Sequence, residues 1–211
     1  MGLEEKSLGR KRQTLYFVFS APSGVGKTVL TKTLCAKASD LKLSVSMTTR
    51  QPRLDESHGQ EYYFVSHASF QQEIQKGTLI EYAQVLDHFY GTPHLMPAEG
   101  TDGVFDVDWQ GMLTLKAQYP GQIISFFLLP PSLSELRRRL ELRGQDSLES
   151  IAHRMAQAKK EISHYGKYDY VLVNENLAET LQCVRDIIKV ERSKRIHQPW
   201  ICNAVATLME E

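Results

Sequence analysis

Residues 15–19, Leu-Tyr-Phe-Val-Phe, form a short apolar run with no polar alternation. Such a run belongs to a strand covered on both faces, as in a parallel sheet. Past Ala-Pro-Ser-Gly, residues Val29, Leu30, Leu34 and Ala38 recur near helical spacing, so a helix is predicted to start close to Lys27. Ile-Ile-Ser-Phe-Phe-Leu-Leu at 123–129 predicts another buried strand, followed by a helix over Leu133 to Leu142. Gly144 breaks that helix, and a new one restarts with Ser147 as its cap. Tyr-Asp-Tyr-Val-Leu-Val at 168–173 predicts the last core strand. Leu181, Val184, Ile187 and Ile188 then form an apolar helical stripe that serves packing. The fold class predicted is α/β, a parallel sheet flanked by helices.

Composition narrows this picture. The chain has 211 residues, 42% hydrophobic and 24% charged, which suits one globular domain with insertions. Its 25 basic and 25 acidic residues cancel, so no long-range field is expected to recruit nucleic acid or an anionic membrane. Any anion site must be built locally, which points to a small ligand. The three cysteines, Cys35, Cys183 and Cys202, lie far apart, as expected of a reducing cytoplasm rather than a disulfide framework or zinc site. The apolar run at 123–129 is too short to span a bilayer, and the first dozen residues read as a loose tail.

The candidate chemistry begins behind the first strand. Ala21-Pro22-Ser23-Gly24-Val25-Gly26-Lys27-Thr28 matches the phosphate-loop pattern G-x-x-x-x-G-K-[ST], except that Ala21 replaces the first glycine. Gly24 and Gly26 permit positive φ, so that successive N–H groups converge on a phosphate. Lys27 would reach the β- and γ-phosphates of a nucleoside triphosphate, and the Thr28 hydroxyl would hold Mg²⁺. Ala21 sits at the strand exit, where small size matters more than a free φ. The alternative is a chance glycine turn. Downstream, Arg50 and Arg53 flank Pro52, which favours an extended or turning backbone able to aim both guanidinium groups at one phosphate dianion. A solvated basic turn is the alternative. Asp106 and Asp108 are two apart, so on one strand they would share a face.

In order behind that loop stand SVSMTTRQPR, GQEYYFVS, LIEYAQV, YGTP, DVDWQG and VLVNENL. This ordered set resembles the guanylate kinases, from about residue 15 to about 190. The resemblance implies a domain over 13–195 with a GMP-binding subdomain near 46–93, a lid near 132–163, and tails at 1–12 and 196–211. It implies that Arg50, Arg53, Tyr62 and Tyr90 hold the phosphate of GMP, and that Ser46, Glu81, Thr92 and Asp108 surround the guanine. Guanine offers N1–H and N2–H₂ donors beside its O6 acceptor, a pattern that carboxylates and hydroxyls match and that adenine lacks. By the same resemblance Asp106 lies nearer the phosphates and the water shell of Mg²⁺. Arg143 and Arg154 close over the transferring phosphoryl group with Arg139 beside them, and Asn174 sits near the ATP adenine. Arg137 and Arg138 are expected to face solvent, and Tyr63 or Phe64 to be a core aromatic.

The function implied is Mg²⁺-dependent transfer of the γ-phosphoryl group of ATP to GMP, with dGMP and a homo-oligomeric state left open. No general base is required, because the acceptor oxygen is already ionised; positioning and charge neutralisation carry the reaction. Two departures stand out. The segment between Thr92 and Asp106 is about one helical turn shorter than the family's usual length, and Gln145 replaces the family's threonine after the lid glycine. A guanylate-kinase-like module that binds phosphopeptides is the rival from another class; its lack of a working phosphate loop sets it apart. A kinase for a different nucleotide is the second rival.

Overall fold

The computed structural model describes residues 12–53, 56–85, 87–94, 97–142 and 147–210. Two sheets organise it. The first has five strands: β1 (Tyr16–Ser20), β2 (Leu41–Leu43), β7 (Asp102–Asp106), β8 (Ile123–Leu129) and β9 (Tyr170–Val173), in the order β2-β7-β1-β8-β9. All its neighbours run parallel. Strand β1 lies at the centre with every residue buried, which is why its sequence shows no polar alternation.

Alternate residues of the strands divide the core into two layers. Phe17, Phe19 and Phe126 face helices α1 (Lys27–Ala36), α4 (Leu133–Leu142), α5 (Leu148–Ile162) and α6 (Leu177–Ser193), which supply Leu30, Leu34, Leu136, Ile151 and Val184. Phe19 stacks on Phe126 with centroids 4.7 Å apart. Tyr16, Val18, Phe105 and Phe127 face helix α3 (Trp109–Gln118) through Met112 and Leu115.

The second sheet has four strands in the order β4-β3-β6-β5, from β3 (Met47–Thr48), β4 (Tyr63–Phe64), β5 (Leu79–Val85) and β6 (His88–Pro93). Helix α2 (His67–Gln75) packs Phe70 against Phe89 of β6. Strand β4 is a two-residue edge strand, so Tyr63 is exposed and Phe64 only half-buried. The expected core aromatic at 63 or 64 is thus corrected. Strand β9 is the last strand of the five-stranded sheet, as expected, and lies at its edge: Tyr170 and Leu172 pack on the core while Val171 and Val173 are exposed. Helix α1 stops at Ala36, short of Ala38.

The first described residues and helix α6 are tied to the sheet at Asp102, which is fully buried. Its carboxylate accepts from the Leu15 N–H at 2.9 Å and from Arg192 of α6 at 2.8 Å, and it pairs with Arg12. Arg192 also bonds Asp40 at 2.6 Å, and the Gln13 N–H donates to the His197 carbonyl at 3.0 Å. Arg12, assigned to a loose tail by sequence, is therefore anchored. Among the described residues no helix is long and apolar enough to cross a membrane.

Candidate functional site

The loop between β1 and α1 turns on two glycines in the left-handed region, Gly24 at φ 95° and Gly26 at φ 107°. Side chains there would be strained and crowded: a Cβ at Gly24 would lie 2.9 Å from Leu140, and one at Gly26 would lie 2.9 Å from the Asn174 amide. Helix α1 begins at Lys27 with Gly26 as N-cap, with no side chain capping it and no acidic residue in its first turn. Its first N–H groups and positive dipole end are thereby left for an anion. The loop is braced from behind. The Val25 carbonyl accepts from the Asn174 amide at 2.8 Å and from the Arg139 guanidinium at 3.2 Å, and Arg139 also reaches the Asn174 carbonyl.

Lys27 pairs with Asp106 and donates to the Val107 carbonyl at 3.2 Å, while the Thr28 hydroxyl donates to Asp106 at 2.9 Å. Burial pulls the Lys27 ammonium down, but the Asp106 carboxylate outweighs it and leaves Lys27 above its ordinary value. The shared strand face expected for Asp106 and Asp108 is corrected. Strand β7 ends at Asp106, and Asp108 is the N-cap of α3. Its carboxylate accepts from the Gly111 N–H at 2.9 Å and from the Gln110 amide at 3.0 Å. An aspartate directly before Trp109, Met112 and Leu115 is a cap signal that the strand reading overlooked.

The opposite wall comes from the second sheet. Glu81 of β5 lies directly across from Thr92 of β6 in the antiparallel register. The Thr92 hydroxyl donates to Glu81 and stands 3.5 Å from the Ser46 hydroxyl, making a buried polar string. Glu81 is 6% exposed, and burial, opposed by the Thr92 hydrogen bond, pushes its carboxyl up to about 7. Gly111 leaves the room Glu81 occupies, since a Cβ there would lie 2.6 Å from Oε2. Nearby, Arg50 and Arg53 converge on one carboxylate, Glu56. Arg50 donates to it at 2.9 Å, the Arg53 backbone N–H at 2.9 Å and the Arg53 guanidinium at 3.3 Å. Arg50 also lies over the Tyr62 ring, whose neighbour is Tyr90.

Helix α5 forms the third side. The Arg154 guanidinium donates to the Ser23 hydroxyl at 2.9 Å, so this helix already touches the phosphate loop. Ser150, His153, Gln157 and Glu161 line the cleft with Arg154 at helical spacing. Burial, partly offset by Lys27, raises the Glu161 carboxyl to about 7. Arg137 and Arg138 are exposed, as expected. Arg143, with Gly144 and Gln145, lies outside the described residues.

These walls enclose one cleft of about 890 Å³. The structure brings to it Ala21, Pro22, Ser23, Gly24, Gly26, Lys27 and Thr28, with Ser46, Arg50, Arg53, Tyr62, Glu81, Tyr90, Asp106, Asp108 and Arg154. Thr92 is fully buried behind Glu81. Val25 and Asn174 do not line it; Asn174, expected at the adenine, is 4% exposed and braces the loop. Between β6 and β7 the described residues form no helix, yet Tyr90 and Thr92 keep their place in β6. Sequence reasoning missed Glu56, Gln157, Glu161 and Gly111. The polar stripe of α5 was a usable signal for two of them.

The sequence model of the guanylate kinase family matches residues 13–191. A guanylate kinase of Maricaulis maris is 46% identical over 207 residues, covering 96% of this chain and 94% of the relative. One of a Ruegeria species is 46% identical over 206 residues, covering 95% of each. Among solved structures, a guanylate kinase from Anaplasma phagocytophilum superposes with a TM-score of 0.76 at 33% identity, covering 91% of this chain and 93% of its own. With nearly its whole length matched, and with a phosphate loop facing a carboxylate–hydroxyl pocket across one cleft, the chain belongs to the guanylate kinase family.

Proposed function

We propose a division of labour within the cleft for phosphorylation of GMP by ATP, the reaction that membership of this family assigns to the chain. The observation that carries the division is the two-walled cleft. A phosphate loop with an uncapped helix end forms one wall, and the Arg50–Arg53 pair with the Ser46–Thr92–Glu81 string forms the other.

On the first wall the N–H groups of Gly24 to Thr28 and the Lys27 ammonium take the β- and γ-phosphates of ATP. Lys27 exchanges its Asp106 partner for phosphate oxygens as ATP enters. The Thr28 hydroxyl and Asp106 carboxylate offer an oxygen-only donor set, which fits Mg²⁺. Bound there, the ion would neutralise charge on the phosphate chain. On the second wall Arg50, Arg53, Tyr62 and Tyr90 hold the phosphate of GMP, with Glu56 fixing the two guanidinium groups. Glu81 and Asp108 accept from the N1–H and N2–H₂ groups of guanine, and Ser46 and Thr92 supply hydroxyls beside them.

The acceptor is an ionised phosphate oxygen, so transfer needs alignment and charge stabilisation rather than proton removal. Arg154 supplies positive charge from the lid side, with Arg143 as its second closing arginine. Closure of α5 over the loop excludes water, which limits hydrolysis of ATP. Three widely separated, unpaired cysteines support a cytoplasmic setting.

Steady-state kinetics of Arg53→Ala and Lys27→Ala test this division. Arg53→Ala should raise KM for GMP and leave KM for ATP unchanged. Lys27→Ala should lower kcat by about 10³ by removing charge stabilisation of the transferring group. An Arg53→Ala enzyme with an unaltered KM for GMP would overturn the assignment of the acceptor wall.

A further inference from the structure

Lys32 and Glu61 form an ion pair between the two walls, although neither lines the cleft. Lys32 belongs to α1, one helical turn past Thr28 and on the same face, so it extends from the element that carries Lys27 and the phosphate-loop N–H groups. Glu61 immediately precedes Tyr62, whose ring lies under Arg50 and against Tyr90. The Glu61 carboxylate also accepts from the Ser57 N–H at 2.7 Å, and the Gly59 N–H donates to the Tyr62 carbonyl at 2.9 Å, which closes the turn that follows Glu56. Glu56 in turn holds Arg50 and Arg53. One pair thus joins the phosphate-loop helix to the turn that sets the acceptor groups.

The other end of the second sheet is seated differently. Ile80 of β5 is 3% exposed and packs with Met112 and Leu115 of α3, and the Gln118 amide donates to the Ile80 carbonyl at 2.7 Å. Strand β4 lies at the opposite edge of the sheet from β5, so the apolar seat at Ile80 leaves the β4 edge as a lever for the ion pair to hold. We infer that the Lys32–Glu61 pair is a strut that sets the acceptor wall at working distance from the phosphate loop, which makes both residues positioning residues for transfer to GMP; the inference rests on the division of the cleft proposed above. Transfer demands reacting atoms about 3–3.5 Å apart, so freedom at the β4 edge lowers the fraction of molecules set for reaction. Exposure bounds the effect. The two side chains are 38% and 17% exposed, and a pair so placed shifts that population by about two- to fivefold.

Kinetics of Lys32→Met and Glu61→Gln in the full chain read the strut. Each should lower kcat/KM for GMP by about two- to fivefold at saturating ATP, while the Kd of ATP measured without GMP stays at the wild-type value. The double variant should be no worse than the worse single, since either change removes the same pair. Lys32→Arg keeps the charge and the reach, and should retain the wild-type kcat/KM. Single variants with an unaltered kcat/KM for GMP overturn the inference. So do losses that multiply in the double variant, or an equal loss of ATP affinity, which would place the fault in α1 itself. A wild-type chain that turns over no GMP overturns both this inference and the reading of the cleft beneath it, whereas normal wild-type turnover with indifferent variants overturns the strut alone.

Discussion

Replacing Glu81 by glutamine should strengthen the empty protein while weakening its hold on GMP. Glu81 is 6% exposed, and burial lifts its carboxyl from 4.5 to about 7. Above that pH the empty protein holds a carboxylate in a poorly solvated place. A tenfold change in proton affinity is worth ~1.4 kcal/mol, so ionisation there costs about 3 kcal/mol. The sign follows from proton binding. The folded protein binds this proton more tightly than the unfolded chain, so its contribution is fully present below 4.5 and is lost as pH rises to about 7. Glutamine can still accept from Thr92 and carries no charge, so Glu81→Gln escapes that loss. Urea unfolding of both proteins at about pH 5 and about pH 8 checks the reasoning; the variant's advantage should grow between them towards about 3 kcal/mol. Its discrimination between GMP and AMP should fall by roughly 10² or more, because guanine loses a charged acceptor. A variant with the same stability difference from wild type at both pH values would refute the argument.

Two other substitutions probe the frame and the pocket floor. Asp102→Ala strands the guanidinium groups of Arg12 and Arg192 and the Leu15 N–H, so it should lower stability by about 3 kcal/mol or more in urea unfolding. Gly111→Ala places a Cβ 2.6 Å from Glu81 Oε2 and must displace that carboxylate, so isothermal titration should show GMP affinity falling by roughly 1–3 kcal/mol while ATP affinity holds.

Much of the site was legible because its chemistry is local in sequence. Strand β1, the two glycines and the start of α1 follow one another without a break, and burial on both faces of β1 writes an unbroken apolar run. The cap of α5 at Ser147 is likewise a local pattern, and its hydroxyl accepts from the Ser150 N–H at 3.2 Å. What escaped notice depends on contacts across the chain. Asp102 meets Arg192 from 90 positions away, and Arg139 meets Val25 from 114 away; neither pairing leaves a periodic trace. Asn174 shows the same limit, since only the folded loop reveals that its amide has turned towards the Val25 carbonyl. Asp108 is a different case. Alternation put it on a strand, and the cap requirement of α3 overrode alternation two residues past the strand's end. At Tyr63 the general preference of aromatics for cores misleads, because no layer covers the edge strand that carries it.

The central claim, one cleft holding ATP on the loop wall and GMP on the carboxylate–hydroxyl wall, is tested most directly by ADP formation from ATP and Mg²⁺ with GMP, AMP, CMP and UMP as separate acceptors. The account predicts rapid turnover with GMP and little above background with the other three. Equal turnover with AMP and GMP, or none with any acceptor by a folded protein, would contradict it.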